Sequence, residues 1–126
     1  MFKINDDKSI YITRGDIATI EVTATTGEGA QHKFSANDVV RLKVYEKKGC
    51  DCVVIQKDTV IEETTTTACI TLAKNDTKIG GLINKPKDYW YEIELNPDTA
   101  PQTIVGYDEE GAKLFKLFPE GSDNDD

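Results

Sequence analysis

The chain has 126 residues, with 15 Lys+Arg against 23 Asp+Glu and a net charge of -8. That length suits one domain with a self-sufficient core, and 38% hydrophobic with 30% charged residues is a globular balance. So acidic a chain repels a phosphate backbone, which argues against nucleic-acid binding, and no apolar run approaches the ~20 residues of a membrane-spanning helix.

The first ten residues, MFKINDDKSI, are charged and hold no apolar stretch of signal length, so no secretory signal is expected. Ile10 and Ile12 then alternate around Tyr11, the first sign of a strand. Arg14-Gly15-Asp16 follows. This tripeptide matches the integrin adhesion signal, which needs an exposed loop and a free Asp carboxylate. The plainer expectation is a turn: Gly15 supplies a backbone conformation that other residues resist, and Asp16 bonds nearby backbone.

The alternation continues in Ala18, Ile20, Val22 and Ala24, with Ile17, Thr19, Glu21 and Thr23 on the opposite face. TTGEGAQ reads as a flexible loop. Val40–Glu46 and Val53–Lys57 read as two strands joined by a turn in KKGCDC. Cys50 and Cys52 are too close for ordinary disulfide geometry, and with Cys69 the count is odd, so free thiols in a reducing compartment are expected. With one histidine, His32, no tetrahedral metal site is completed and no nucleophile–His–acid set can be built. No metal, no cofactor and no catalytic site are therefore expected.

Ala68, Ile70 and Leu72 form the next alternating run, with Cys69 on its outer face. AKNDTKIGGLINKP breaks the period. A cap at Asn75 or Asp76 and the spacing of Ile79 and Leu82 predict one short helical turn near 75–82, since Gly80 and Gly81 make a longer helix costly. Tyr89, Tyr91, Ile93 and Leu95 then alternate with Trp90, Glu92 and Glu94. Trp90 thus shares a polar face, as do Tyr45 and Tyr11 by their own alternation. These three aromatics are candidates for a protein interface or a sugar-stacking platform; burial of Trp90 through a bulge or a covering loop is the alternative.

Near the end, GYDEEGAK reads as a hairpin turn joining Thr103–Tyr107 to Lys113–Phe118. The final PEGSDNDD, with Glu120, Asp123, Asp125 and Asp126, reads as a solvated acidic tail. The runs predict an all-β domain over residues 1–121, an antiparallel sandwich of about eight strands over one core, with 122–126 as a disordered end.

The order of these features resembles the N-terminal domain of baseplate upper proteins and related tail proteins of phages and prophages of Gram-positive bacteria. The resemblance runs over roughly residues 3–121: a short strand into Arg14-Gly15-Asp16, then IATIEVTA, ANDVVRLKVYEK, KPKDYWYEIELNP and IVGYDEEGAKLFKLFPEG. It implies an antiparallel immunoglobulin-like β-sandwich without enzymatic activity that anchors to other tail or baseplate proteins, with self-association possible. Its place would be the bacterial host cytoplasm during assembly and then the virion tail. Family members continue into receptor-binding or fibre parts, whereas this sequence ends at Asp126 and reads as a stand-alone adaptor or a piece of a longer protein. A carbohydrate- or cell-surface-binding module is the alternative role.

Overall fold

A computed structural model describes residues 1–25, 29–48, 52–80, 84–106 and 111–120. The chain is all-β and sandwich-like. Nine strands run in the order β1 (Phe2–Ile4), β2 (Ile10–Thr13), β3 (Ala18–Val22), β4 (Val39–Tyr45), β5 (Val53–Val60), β6 (Ala68–Leu72), β7 (Lys87–Leu95), β8 (Gln102–Val105) and β9 (Lys113–Phe118). The larger sheet has the order β1-β2-β9-β7-β4-β5, with β8 also on β7; the smaller sheet is β3-β6 alone.

Alternation is what buries the core. Ile10 and Ile12, Val40 to Val44, Tyr89 to Leu95, and Phe115 with Leu117 line the inner face of the larger sheet. Ala18, Ile20 and Val22 with Ala68, Ile70 and Leu72 face them from the smaller sheet. These side chains form one continuous cluster between the layers.

Three expectations are corrected. The larger sheet is mixed rather than antiparallel, because β2 runs parallel to β9, pairing Ile10 with Phe115 and Thr13 with Phe118. The strands on either side of the GYDEEGAK segment, β8 and β9, do not pair with each other as a hairpin. β9 pairs with Lys87–Tyr91 and β8 with the Ile93–Leu95 end of β7, both antiparallel to it. The two therefore run in line along one edge of β7, since β4 holds the other edge. Nine residues of β7 are long enough to serve both. Residues 107–110 of that segment lie outside the described residues, as do Gly81, Leu82 and Asp51. The third correction is chemical: Cys52 is disulfide-bonded, whereas Cys69 is a free, exposed thiol. Cys50, residues 26–28 of the TTGEGAQ loop and the 121–126 tail also lie outside the described residues. β1 is an added ninth strand, paired with β2.

The helical turn is a single 3-10 turn at Lys74–Asp76. Asp76 does not precede it as a cap. It sits at its end and reaches back to accept the Ala73 N–H at 2.7 Å, while also accepting from Lys57 Nζ at 3.0 Å. No helix among the described residues is long and apolar enough to cross a membrane.

Two glycines separate steric from conformational constraint. Gly80 and Gly111 both have positive φ, at 74° and 99°. A Cβ on Gly80 would stand 2.8 Å from the hydroxyl of the buried Tyr89, whereas one on Gly111 would meet nothing within 4 Å among the described residues. Alanine at either position pays about 1–2 kcal/mol for the left-handed backbone. Urea unfolding should therefore show Gly80→Ala to be the more destabilised variant; equal losses would show that Tyr89 yields freely.

Candidate functional site

The Arg14-Gly15-Asp16 turn is where the chain leaves the larger sheet and enters the smaller one. The Asp16 N–H donates to the Thr13 carbonyl at 3.0 Å, closing a four-residue turn. Gly15 takes φ +87°, which its position in such a turn requires. Arg14 does not project. Its residue is only 6% exposed, its Nη1 pairs with Glu120 Oε1, and its Nε donates to the Ile79 carbonyl at 3.3 Å. Glu120 is thus enclosed in an ion pair, 14% exposed, rather than belonging to a solvated tail.

The Asp16 carboxylate pairs with the N-terminal ammonium of Met1, not with nearby backbone as expected. The backbone link is made by Thr77, which is fully buried. Its Oγ1 accepts the Gly15 N–H at 2.9 Å, and the hydroxyl donates to the Asp16 carbonyl at 2.9 Å, with the Lys74 carbonyl at 3.2 Å. An adhesion tripeptide needs both its charged side chains presented, and here the arginine is enclosed. The motif is a fold element.

The three aromatics picked out by alternation all lie on the outer face of the larger sheet, and all are half-buried. Register brings two of them together: Trp90 is flanked by Tyr45 on β4 and Leu114 on β9. Tyr11 stands apart on β2, its ring 5.4 Å from that of Phe118. The faces of the rings are not bare. Lys48 Nζ lies 4.3 Å from the Trp90 ring centroid and Lys3 Nζ 5.2 Å from that of Tyr11. The Tyr45 hydroxyl donates to Glu92. Leu114, Phe118 and Lys48 were not singled out from the sequence; the KLFKLF run of β9 is apolar on both faces, which is the signal that could have found the first two.

Beyond the aromatic row this face is ion-paired. Arg41 contacts both Asp58 and Asp98, at 2.8 and 3.0 Å, and Lys43 contacts Glu94 at 3.1 Å. Among the described residues no group of three or more His, Cys, Asp or Glu is placed to hold a metal. Comparison with known proteins returns no match: no family model, no curated protein and no solved structure matches the chain.

Two predictions follow from these contacts. Thr77→Val removes the partner of the Gly15 N–H and the Asp16 carbonyl at a buried point, and should cost about 1–3 kcal/mol in urea unfolding. A loss under about 0.5 kcal/mol would show that the hydroxyl does not tie the turn. The second concerns pH. Hydrogen bonding to Arg41 holds the Asp58 carboxyl below its ordinary 3.8. A depressed folded value contributes stability that is present above 3.8 and is lost as pH falls through the folded value. The effect is small because Asp58 is 38% exposed. The stability gap between the native chain and Asp58→Asn should therefore shrink on acidification below 3.8; a gap that widens there would contradict the pairing.

Proposed function

We propose that this chain is a non-enzymatic structural domain of the phage tail and baseplate class, an adaptor that packs against other tail proteins through the outer face of its larger sheet. The supporting observation is the row Leu114–Trp90–Tyr45, three large half-buried side chains in register across β9, β7 and β4, on the outer face of the larger sheet, which no strand among the described residues covers. Interface anchors are of this kind: aromatic, central and surrounded by paired charges. The sequence resemblance supplies the partner class. The same reading places the protein in the host cytoplasm during assembly and in the tail afterwards.

Sugar stacking is the second reading. It needs an open ring face, and the Trp90 face carries the Lys48 ammonium while the Tyr45 hydroxyl is already engaged. These contacts favour a protein partner, for which a lysine beside a tryptophan is an ordinary part of the surface.

Trp90→Ala should leave the fold intact and weaken partner binding by about thirtyfold, the equivalent of a 2 kcal/mol hot spot. The measurement is capture of tail components, identified by mass spectrometry, from an infected lysate, beside light scattering of the purified chain. A native chain that stays monomeric and captures no tail component ends this reading, and binding on a glycan array that Trp90→Ala abolishes would replace it with the second.

A further inference from the structure

A cleft of about 810 Å³ opens between the two sheets on the side away from β5. Its floor is the inner face of the larger sheet, at Ile10, Tyr91, Ile93 and Leu95. Its walls are two runs of consecutive residues, 20–25 along β3 and beyond, and 102–105 along β8. Consecutive residues whose side chains alternate in direction, buried Ile20 and Val22 and exposed Glu21 and Thr23, all border this wall. That happens only where a cavity runs along a strand's edge. The smaller sheet has two strands, so β3 pairs with β6 on one side, and over Ala18–Val22 its other edge pairs with no strand among the described residues; just beyond, Thr25 bridges Gln31 and the Ala24 carbonyl accepts the His32 N–H. Among the described residues β8 likewise pairs only with β7.

The opposite side of the sandwich is closed. Thr59 of β5 donates to the Cys69 carbonyl of β6 at 2.9 Å, and Lys57 of β5 reaches Asp76 just after β6. The layers are tied together there and left apart at β3. At the mouth of the cleft Ile4, whose register partner is the buried Ile10, is 46% exposed. Within the lining, His32 Nε2 is enclosed and has no hydrogen-bond partner among the described residues.

We propose that this cleft docks an extended segment of a partner protein, which adds beside β3 as a third strand of the smaller sheet. Its main chain bonds the edge of β3 that faces away from β6, and its inward side chains settle over Tyr91, Ile93 and Leu95. This goes beyond the adaptor role of the outer face and uses a different surface. Charge selects the occupant. Glu21 points outward from the middle of the edge, on a chain of net charge -8, so the residue opposite it in the added strand is Lys or Arg. A second folded copy does not fit, because the apolar side chains of its own edge strand are already in its own core and would leave the cleft unfilled. The chain's own acidic terminus, SDNDD, has no apolar side chain to offer and would meet Glu21 with like charge.

The test is selection of short random peptides displayed against the whole chain, followed by amide hydrogen exchange with the synthetic winners. Expected are peptides that alternate apolar and polar residues and carry a Lys or Arg, and that slow exchange within residues 19–25. Glu21→Lys, an exposed change that leaves the core untouched, should weaken them about tenfold by turning a cross-strand attraction into repulsion. Trp90→Ala should leave their affinity unchanged, so the outcome here is separate from that of the adaptor reading. The proposal is overturned if no period-two peptide is enriched, if exchange within 19–25 is unaffected, or if binding is lost with Trp90. Protection of 19–25 that grows with protein concentration in the absence of peptide would also overturn it, by showing a contact between copies.

Discussion

The structure depends on one crossing. Between Thr13 and Ala18 the chain passes from the larger sheet to the smaller, and everything the smaller sheet does follows from how that corner is fixed. Three segments distant in sequence meet there. The Arg14 N–H donates to the Phe118 carbonyl at the end of β9, the Arg14 side chain pairs with Glu120, and Thr77 bonds both Gly15 and Asp16. Because Ala18 is the register partner of Leu72, this corner holds both the start of β3 and the end of β6. A two-stranded sheet has little independent stability. Here it gains position from a buried hydroxyl, an enclosed ion pair and the apolar layer beneath it.

The fixed corner also explains the asymmetry of the sandwich. The larger sheet is wider than the smaller one, so two strands cannot cover its whole inner face. They are held toward β5, where Thr59 and Lys57 close the gap to β6. The uncovered remainder is the cleft along β3 and β8. Glu21 at the middle of the open edge is the kind of charge that discourages unplanned strand pairing. It sets a condition on what can pair without removing the edge itself.

Much of this was legible in the sequence, for a definite reason. A half-buried strand has to alternate, so Ala18–Val22, Val39–Tyr45, Ala68–Leu72 and Lys87–Leu95 announce themselves, and with them the outward placement of Trp90, Tyr45, Tyr11 and Cys69. Alternation says nothing about which strand lies beside which. The parallel pairing of β2 with β9, and β8 and β9 lying in line rather than folded back, are properties of the assembled sheet. β1 has too few residues to show a period, and its stability comes from pairing with β2. The partner of Arg14 is 106 positions away, in a segment whose composition reads as solvent-facing. The disulfide at Cys52 left no signal in the sequence, where nothing beside that residue separates a bonded from a free thiol.

The tripeptide shows what such distant contacts decide. Presenting Arg14 to a receptor would mean separating it from Glu120 and from the Ile79 carbonyl. Removing a buried charge from its partner costs on the order of a few kcal/mol, against a total stability of about 5–15 kcal/mol for a domain. The same movement would pull on the Gly15 N–H that Thr77 holds, and so on the corner that positions the smaller sheet. Exposed Ile17, at 71%, is the residue of this segment that meets solvent most freely, and it carries no charge. Three residues that would signal adhesion on a free loop are thus committed to the fold by interactions that none of the three contains, and the chemistry available to partners lies elsewhere, on the aromatic row and along the open edge of β3.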